Sequence, residues 1–599
     1  MGKKLLKRDE IEEKYKWKLE DMYESDELWN EEFDKAMKLS GELKEFAGKL
    51  GESPKTLLDF FKKSDELDYY VSRVYVYANQ RYHQDTAVAK YQGFSAKADT
   101  LLVAASGATS FVNPEILSLD ESLIKDFYEK EPELIKYKRL IDEINRSKSH
   151  VLTKDNEAIL AQAGEIAMGP DNIFHMFNDA DIKFPTIKDQ NGKDVTISHG
   201  NYIHYMKNQD RRVREDAFKA MYNTYKKFGN TVAAIFISNL KQENFFSKVR
   251  KYSSSRAMEL DHSNVPESVY DNLIETVHKH LPAMYDYMKN RKETLGVDKL
   301  HMYDIYVPLV GGVDKEYSFE EAKEIVSKAL KPMGEKYVSI LTEGMDSRWI
   351  DVFENENKRS GAYSWGSYGT HPYVLLNFQG NLNDVFTLAH EMGHSMHTYF
   401  SNSTQPITYA GYKIFVAEVA STCNEALLMH YLLENTDDKK VRKYLLNHQL
   451  EEFRTTLFRQ TMFAEFEQIV HKKVQNGETL TQEELNKIYH DLNVLYYGDD
   501  VVIDEEIDYE WMRIPHFYTP FYVYQYATGY SAATAFSKLI LEGGQEAADR
   551  YINEFLCGGS SKSPIELLKG AGVDMSSPVP VDEALNAFEE YLKEYIAID

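Results

Sequence analysis

Two histidines four positions apart, His390 and His394, enclose Glu391-Met392-Gly393 in a stretch whose apolar residues recur at helical spacing. On an α-helix such a pair projects from one face and can share one metal ion, the H-E-x-x-H arrangement. At about 100° per residue, Val385, Leu388, Met392, Met396 and Tyr399 fall on the opposite side and give the helix a face to bury. The expected helix starts after Asn381 or Asn383, carries Asp384 in its first turn and runs through Tyr399. Gly393 costs such a helix about 1 kcal/mol relative to alanine, so its presence implies a close backbone approach. The competing reading is a surface helix with an incidental histidine pair.

A catalytic zinc keeps three protein ligands and one open position, so a third ligand must come from elsewhere. The chain of 599 residues has only Cys423 and Cys557, which cannot form a four-cysteine site and fit a reducing compartment. The run from Phe415 to Leu428 reads as a helix with Val416, Ala420, Cys423 and Leu427 on one side and Glu418, Ser421 and Glu425 on the other. Glu418 is the candidate third ligand and Glu425 a candidate for orienting a ligand histidine from behind. The alternative for both is a solvated helix face. His397 lies on the ligand face, but a metzincin-type site requires Gly at 397 and His at 400, where this chain has His397 and Phe400. His397 is therefore expected behind the ligands or in the pocket wall, against simple exposure.

Around this core the chain is dominated by charged segments of helical period, and 31 Gly with 16 Pro are too few for a loop-rich all-β fold. The expected class is mainly α, with an N-terminal helical lobe over 1–198 and a catalytic domain over 199–599. Asn191-Gly192 between two alternating runs predicts a hairpin across 184–197. Further strands are expected at 302–307 and 373–378, the second after a glycine-bearing loop at 360–372. With 96 Asp+Glu against 70 Lys+Arg, a net charge of −26 repels phosphate backbones and anionic lipid, so nucleic acid and membrane are excluded as partners. No apolar run approaches the roughly 18–20 residues that span a bilayer. The N-terminus turns charged before a signal-like apolar stretch, and a cytoplasmic location is expected.

His390 to His394, followed by Glu418 within Phe415-Val416-Ala417-Glu418-Val419-Ala420-Ser421, resembles the thimet oligopeptidase family of zinc metallopeptidases, and within it the bacterial oligoendopeptidase F group. The likeness extends over nearly the whole chain, from Trp17-Lys18-Leu19-Glu20-Asp21-Met22-Tyr23 to the distal segments Ile514–Tyr518 and Phe521–Gly529. It implies one Zn2+ per chain held by His390, His394 and Glu418, and two helical lobes enclosing a substrate channel, with a small β-sheet beside the zinc helix. It further implies hydrolysis of internal bonds in short oligopeptides, with Glu391 as general base.

The distal segment offers oxyanion donors, although Tyr522, Tyr526 and Tyr530 at spacings of four read by themselves as an aromatic packing stripe. The resemblance assigns substrate or transition-state contacts to His516 and Tyr522, and supports Tyr526 less directly. The family's last tyrosine falls on Gly529 in an ungapped comparison, and Tyr530 fills that place only after a one-residue shift. The strand carrying Leu375 and Asn377 is expected to pair a free edge with substrate main chain. Its alternative is an ordinary buried strand. His371, on the preceding loop, is expected to cover the peptide. A related zinc carboxypeptidase and a non-catalytic peptide-binding scaffold are the alternative functions, and the oligomeric state stays open.

Overall fold

Helix-compatible spacing in the sequence becomes helix in the structure, a computed structural model that describes residues 5–312 and 315–598. Residues 1–4, the start of the charged N-terminal stretch, lie outside the described residues. The first long helices are Asp26–Leu43 (α1), Pro54–Gln84 (α2) and Ala89–Thr109 (α3). Ser25 and Ser53 cap α1 and α2 by accepting the N–H groups of Leu28 and Thr56, and Pro54 occupies a first-turn position where its missing N–H costs nothing. Trp29 of α1 is fully buried and stacks on Phe94 of α3 at a centroid distance of 4.0 Å. The helices that matter for the site are Gly229–Val249 (α4), Leu382–Thr404 (α5), Ile414–Glu434 (α6), Arg459–Gln475 (α7) and Tyr524–Arg550 (α8), the last broken at Gly544.

Strands are few and short. Thr186–Lys188 (β1) and Asp194–Thr196 (β2) form the expected antiparallel hairpin with Ile187 opposite Val195, and Gly192 takes φ +78° in its turn. The remainder are Leu300–His301 (β3), Ile350–Asp351 (β4), Tyr363–Trp365 (β5), Tyr373–Leu375 (β6) and Val501–Val502 (β7). The strand expected over 302–307 is instead a single helical turn, Met302–Asp304, following the two residues of β3, which pair parallel with β7. Asp304 causes the departure: its carboxylate accepts the His301 N–H at 3.1 Å and is gripped by Arg211 and Arg214, which closes the turn.

The chain divides into two compact units, each discontinuous. One comprises Met1–Ser149, Lys315–Tyr431 and Phe536–Val573; the other His150–Asp314, Leu432–Ala535 and Asp574–Asp599. Neither follows the 198/199 boundary expected from the sequence. In the first unit, Tyr373 and Leu375 of β6 are buried in one hydrophobic core with Trp17, Trp29 and Phe60, so the strands before α5 fold with the N-terminal helices. A buried ion pair between Arg8 and Asp351, 2.5 Å, fastens the same two segments. No helix among the described residues is long and apolar enough to cross a membrane.

Candidate active site

Helix α5 begins in a capping box: Asn381 accepts the Asp384 N–H at 3.1 Å while Asp384 Oδ2 accepts that of Asn381 at 3.0 Å. The same oxygen accepts the N–H groups of Gln379 (3.0 Å) and Gly380 (2.7 Å), tying the chain that leaves β6 to the helix start. Val385, Leu388, Met392 and Met396 are fully buried, and His390 and His394 project partly exposed from the other side, with ring centroids 4.8 Å apart.

Helix α6 brings Glu418 to them. Its Oε2 lies 3.3 Å from His390 Nε2 and 3.4 Å from His394 Nε2, and the three donor atoms all fall within 4.8 Å of one another. Donors bonded at the usual lengths to a tetrahedral zinc stand about 3.3 Å apart, the spacing that Glu418 keeps to each histidine. Glu425, two turns further along α6, places Oε2 3.4 Å from His390 Nδ1, where it can fix the ring's tautomer and orientation. Burial pulls the His390 imidazole down, but the carboxylates of Glu418 and Glu425 outweigh it and carry it up to about 10. Burial likewise pushes Glu418 up, and His390 and His394 reverse that and hold it well below the usual carboxylate range. These are the charges a bound cation would take over.

Glu391 is nearly buried, with Oε2 lacking a hydrogen-bond partner among the described residues, and desolvation raises its carboxyl above the ordinary range. An unsatisfied carboxylate beside a metal-ligand set is suited to accept a proton. His397 is not on an open face. It is fully buried, its ring stacked 3.8 Å from Tyr412 and packed on Phe555, and burial pushes its imidazole down to about 3. It packs beside the ligand set as a ring whose burial and nearness to His394 disfavour a charge.

The three-stranded sheet has the order β4-β6-β5, with Ile350 opposite Val374 in parallel and Ser364 opposite Val374 in antiparallel register. Both edges of β6 are therefore occupied, and Leu375 is fully buried in the core. The expected free edge at Leu375 and Asn377 does not exist; the outer strands are β4 and β5. Asn377 instead donates its amide to the carbonyls of Arg359 (3.0 Å) and Gly361 (2.8 Å), pinning the loop that leads into β5. His371 is likewise engaged within its unit: it stacks on Trp349 at 5.0 Å, and its ring nitrogens meet Pro372 O at 2.8 Å and Asp21 Oδ2 at 3.3 Å.

In the second unit, His516, Tyr522 and Tyr526 are brought together. The Tyr526 hydroxyl is 3.3 Å from His516 Nε2, the rings of His516 and Tyr522 lie parallel at 5.9 Å, and Tyr522 meets Tyr526 edge-on at 5.5 Å. Burial lowers the His516 imidazole, which favours its neutral form. Tyr530 leaves this group: it is buried against Phe453 and its hydroxyl accepts from Gln449 Nε2 at 2.9 Å.

Residues 204–587 match the model of peptidase family M3, and residues 115–184 match that of oligopeptidase F. The chain belongs to peptidase family M3. It is 49% identical to oligopeptidase PepF of Bacillus subtilis over 98% of this chain and 88% of that one. It is also 43% identical to the group B oligopeptidase PepB of Streptococcus agalactiae, over 98% and 97%. Among solved structures, oligoendopeptidase-F from Enterococcus faecium superposes with a TM-score of 0.75 at 39% identity, covering 96% of this chain and 99% of that one.

In this M3 peptidase, several residues that bring the His390–His394–Glu418 group together lie outside its motifs. A Cβ on Gly393 would stand 2.6 Å from Ser421 Cα and 2.8 Å from the Ala420 carbonyl oxygen, so only glycine lets α5 and α6 meet this closely. The sequence signalled this through a glycine kept in a helix interior. Asn424 and Tyr337 gave no such signal: Tyr337 donates to Asn424 Oδ1 at 2.9 Å, and Asn424 donates to the Ala389 carbonyl at 3.1 Å, locking α6 against the turn before His390. Ser395 accepts or donates across 2.8 Å to Ser364, which links β5 to α5.

Proposed function

We propose that the chain is a zinc-dependent endopeptidase that hydrolyses internal bonds of short oligopeptides, with Glu391 as general base. The observation that carries this reading is the donor set His390, His394 and Glu418, all within 4.8 Å of one another, beside a buried carboxyl whose Oε2 has no hydrogen-bond partner among the described residues. The relatives' names bring oligopeptide substrates to this chain as part of the proposal. When bound, zinc supplies Lewis acidity for a carbonyl and lowers the pKa of a water. Glu391 takes the proton of the attacking water and returns it to the leaving amine. Its raised pKa brings it closer to neutrality, which suits an acid and base that must change roles within one turnover. Glu425 holds His390 from behind.

His516 and Tyr522 are assigned the donors to the developing oxyanion. That role rests on the motif resemblance and on their clustering with Tyr526. Substrate main chain is assigned to the outer strand β5, whose Ser364 is bonded to the metal helix. Oligopeptides bound through their backbone and one zinc per chain complete the reading, in a cytoplasmic protein.

The test uses zinc-loaded protein and internally quenched peptides of about nine to twelve residues, a size suited to a peptide-binding cleft, with products read by mass spectrometry. Internal cleavage that a chelator abolishes, and a loss of about 10²–10⁴-fold in kcat for Glu391→Gln with zinc retained, is expected. Stepwise loss of single C-terminal residues would assign a carboxypeptidase instead. Intact peptides, or full rate in Glu391→Gln, would refute the mechanism.

A further inference from the structure

Within the second unit, three ionisable side chains are buried together: Glu243 on α4, and Glu467 and His471 on α7. Glu243 has one oxygen engaged, since Asn239 donates to its Oε1 at 2.5 Å, while its Oε2 lies 3.3 Å from His471 Nε2 without a hydrogen bond between them. Burial pushes the His471 imidazole down to about 3 and Glu243 well above the carboxylate range, which disfavours an ion pair between them. Glu467 differs in what its engaged oxygen holds. Only 1% exposed, it accepts one hydrogen bond through Oε1, and Oε2 has no partner among the described residues. Burying a carboxyl so poorly satisfied is costly, and helix packing alone gives no reason to keep it.

Its single partner is the backbone N–H of Phe521, at 3.0 Å. Phe521 has φ +51°, in the left-handed region, where a residue with a side chain is strained. Its neighbour Pro520 brings no N–H, so the Phe521 N–H is the buried donor of this turn, and it is satisfied by a side chain from another helix. The Phe521 ring is buried, 4.5 Å from His471 and 5.7 Å from Tyr270. Phe521 thus points into the core, and the next residue, Tyr522, emerges beside His516 and Tyr526.

We propose that Glu467 is a positioning residue for Tyr522: its carboxyl holds the Phe521 N–H and so fixes the left-handed turn from which Tyr522 projects. This rests on the role assigned to Tyr522 above. The buried acid is the acceptor for which the strained turn has no backbone substitute, and α7 is the rigid element that carries it.

Glu467→Gln preserves an acceptor in the same volume, whereas Glu467→Met removes it. Both variants are measured as full-length, zinc-loaded protein for kcat and KM on a quenched peptide, and for hydrogen–deuterium exchange across residues 515–524. Glu467→Met is expected to lower kcat about ten-fold, the equivalent of one lost hydrogen bond, with KM within about two-fold and faster exchange in that segment. Glu467→Gln is expected to match the parent in all three. In a Tyr522→Phe background, Glu467→Met is expected to cost nothing further in kcat. An equal loss in both backgrounds, a folded Glu467→Gln as impaired as Glu467→Met, or unchanged exchange in Glu467→Met would overturn the proposal. Exchange is read without turnover, so a parent protein that cleaves no peptide would refute the proposed function and leave the turn's test standing. If Glu467→Met does not fold, Glu467→Gln decides alone: parental exchange at 515–524 supports the acceptor role, and faster exchange overturns it.

Discussion

The metal-ligand group and the His516–Tyr522–Tyr526 group are built by opposite means. The first rides on two helices, where backbone geometry fixes which side chains share a face, and the helices are drawn together by a missing Cβ at Gly393 and by the Tyr337–Asn424–Ala389 chain. The second draws on a short 3-10 helix, Pro515–Tyr518, that carries His516, on the turn that carries Tyr522 and on the first residues of α8, and that turn holds a strained φ at Phe521, whose N–H is bonded to Glu467. Ligand geometry on helices tolerates little and changes little. A turn held by one bond is adjustable, and its side chains are the ones assigned to a transition state rather than to a resident ion.

The comparison is broken most directly by removing one hydroxyl. Tyr522→Phe is expected to reduce kcat by about 10²-fold, as for loss of one oxyanion donor, with zinc content unchanged by elemental analysis. A loss of zinc in that variant would make the two groups one, and a full rate would remove Tyr522 from the chemistry. The reverse experiment is Gly393→Ala. Its methyl would meet backbone atoms at 2.6 and 2.8 Å, which cannot swing aside as a side chain can. Forcing α5 and α6 apart is expected to cost about 1–3 kcal/mol of stability, and to weaken zinc binding more than it slows a fully zinc-saturated enzyme. Zinc titration against a competing chelator measures the first effect and saturating-metal kcat the second.

The same contrast explains what could be read from the sequence. His390, His394 and the buried face of α5 follow from a period of 3.6 alone, and Gly393 announced the close approach because it stands where a helix prefers alanine. Glu418 needed the family resemblance, since nothing local separates a ligand carboxylate from a solvated one. The misreadings concern partners distant in sequence. The apolar run at 373–378 reads as a strand, but its neighbours β4 and β5 are only two and three residues long and leave too little pattern to show that both edges are taken. His371 and His397 take their expected positions from the loop and the helix face, and the rings packed on them, Trp349 and Tyr412, come from other segments. The compact units depart from the 198/199 division for the same reason, since burial of Tyr373 and Leu375 with Trp17 and Trp29 joins segments far apart in the chain. Glu467 reads as one more charge in a charged helix, and only the packing makes it a buried acid.

Glu425 offers a sharper, smaller test of the metal side. Its carboxylate is 3.4 Å from His390 Nδ1 and its charge helps carry the ring's pKa to about 10. Glu425→Gln keeps a hydrogen-bond acceptor and removes the charge, so His390 keeps its orientation and loses basicity. Zinc affinity is expected to fall about ten-fold, at the lower end for groups behind a ligand, with little change in saturated kcat. An unchanged affinity would mean that orientation alone matters.

The smallest effect is expected at Tyr530, which marks where the distal group ends. It lies four residues beyond Tyr526 on α8, yet its hydroxyl is spent on Gln449 inside the core, against Phe453. Tyr530→Phe leaves the ring packed and strands the buried Gln449 amide, which costs about 1 kcal/mol in stability. Because the hydroxyl faces the core, kcat on quenched peptides should stay within about two-fold of the parent, while Tyr526→Phe, which removes the contact to His516, lowers it further. Equal losses in the two variants would extend the distal group by a full helical turn. They would also mean that the family's last tyrosine had been kept after a one-residue shift, with its hydroxyl redirected in the working enzyme.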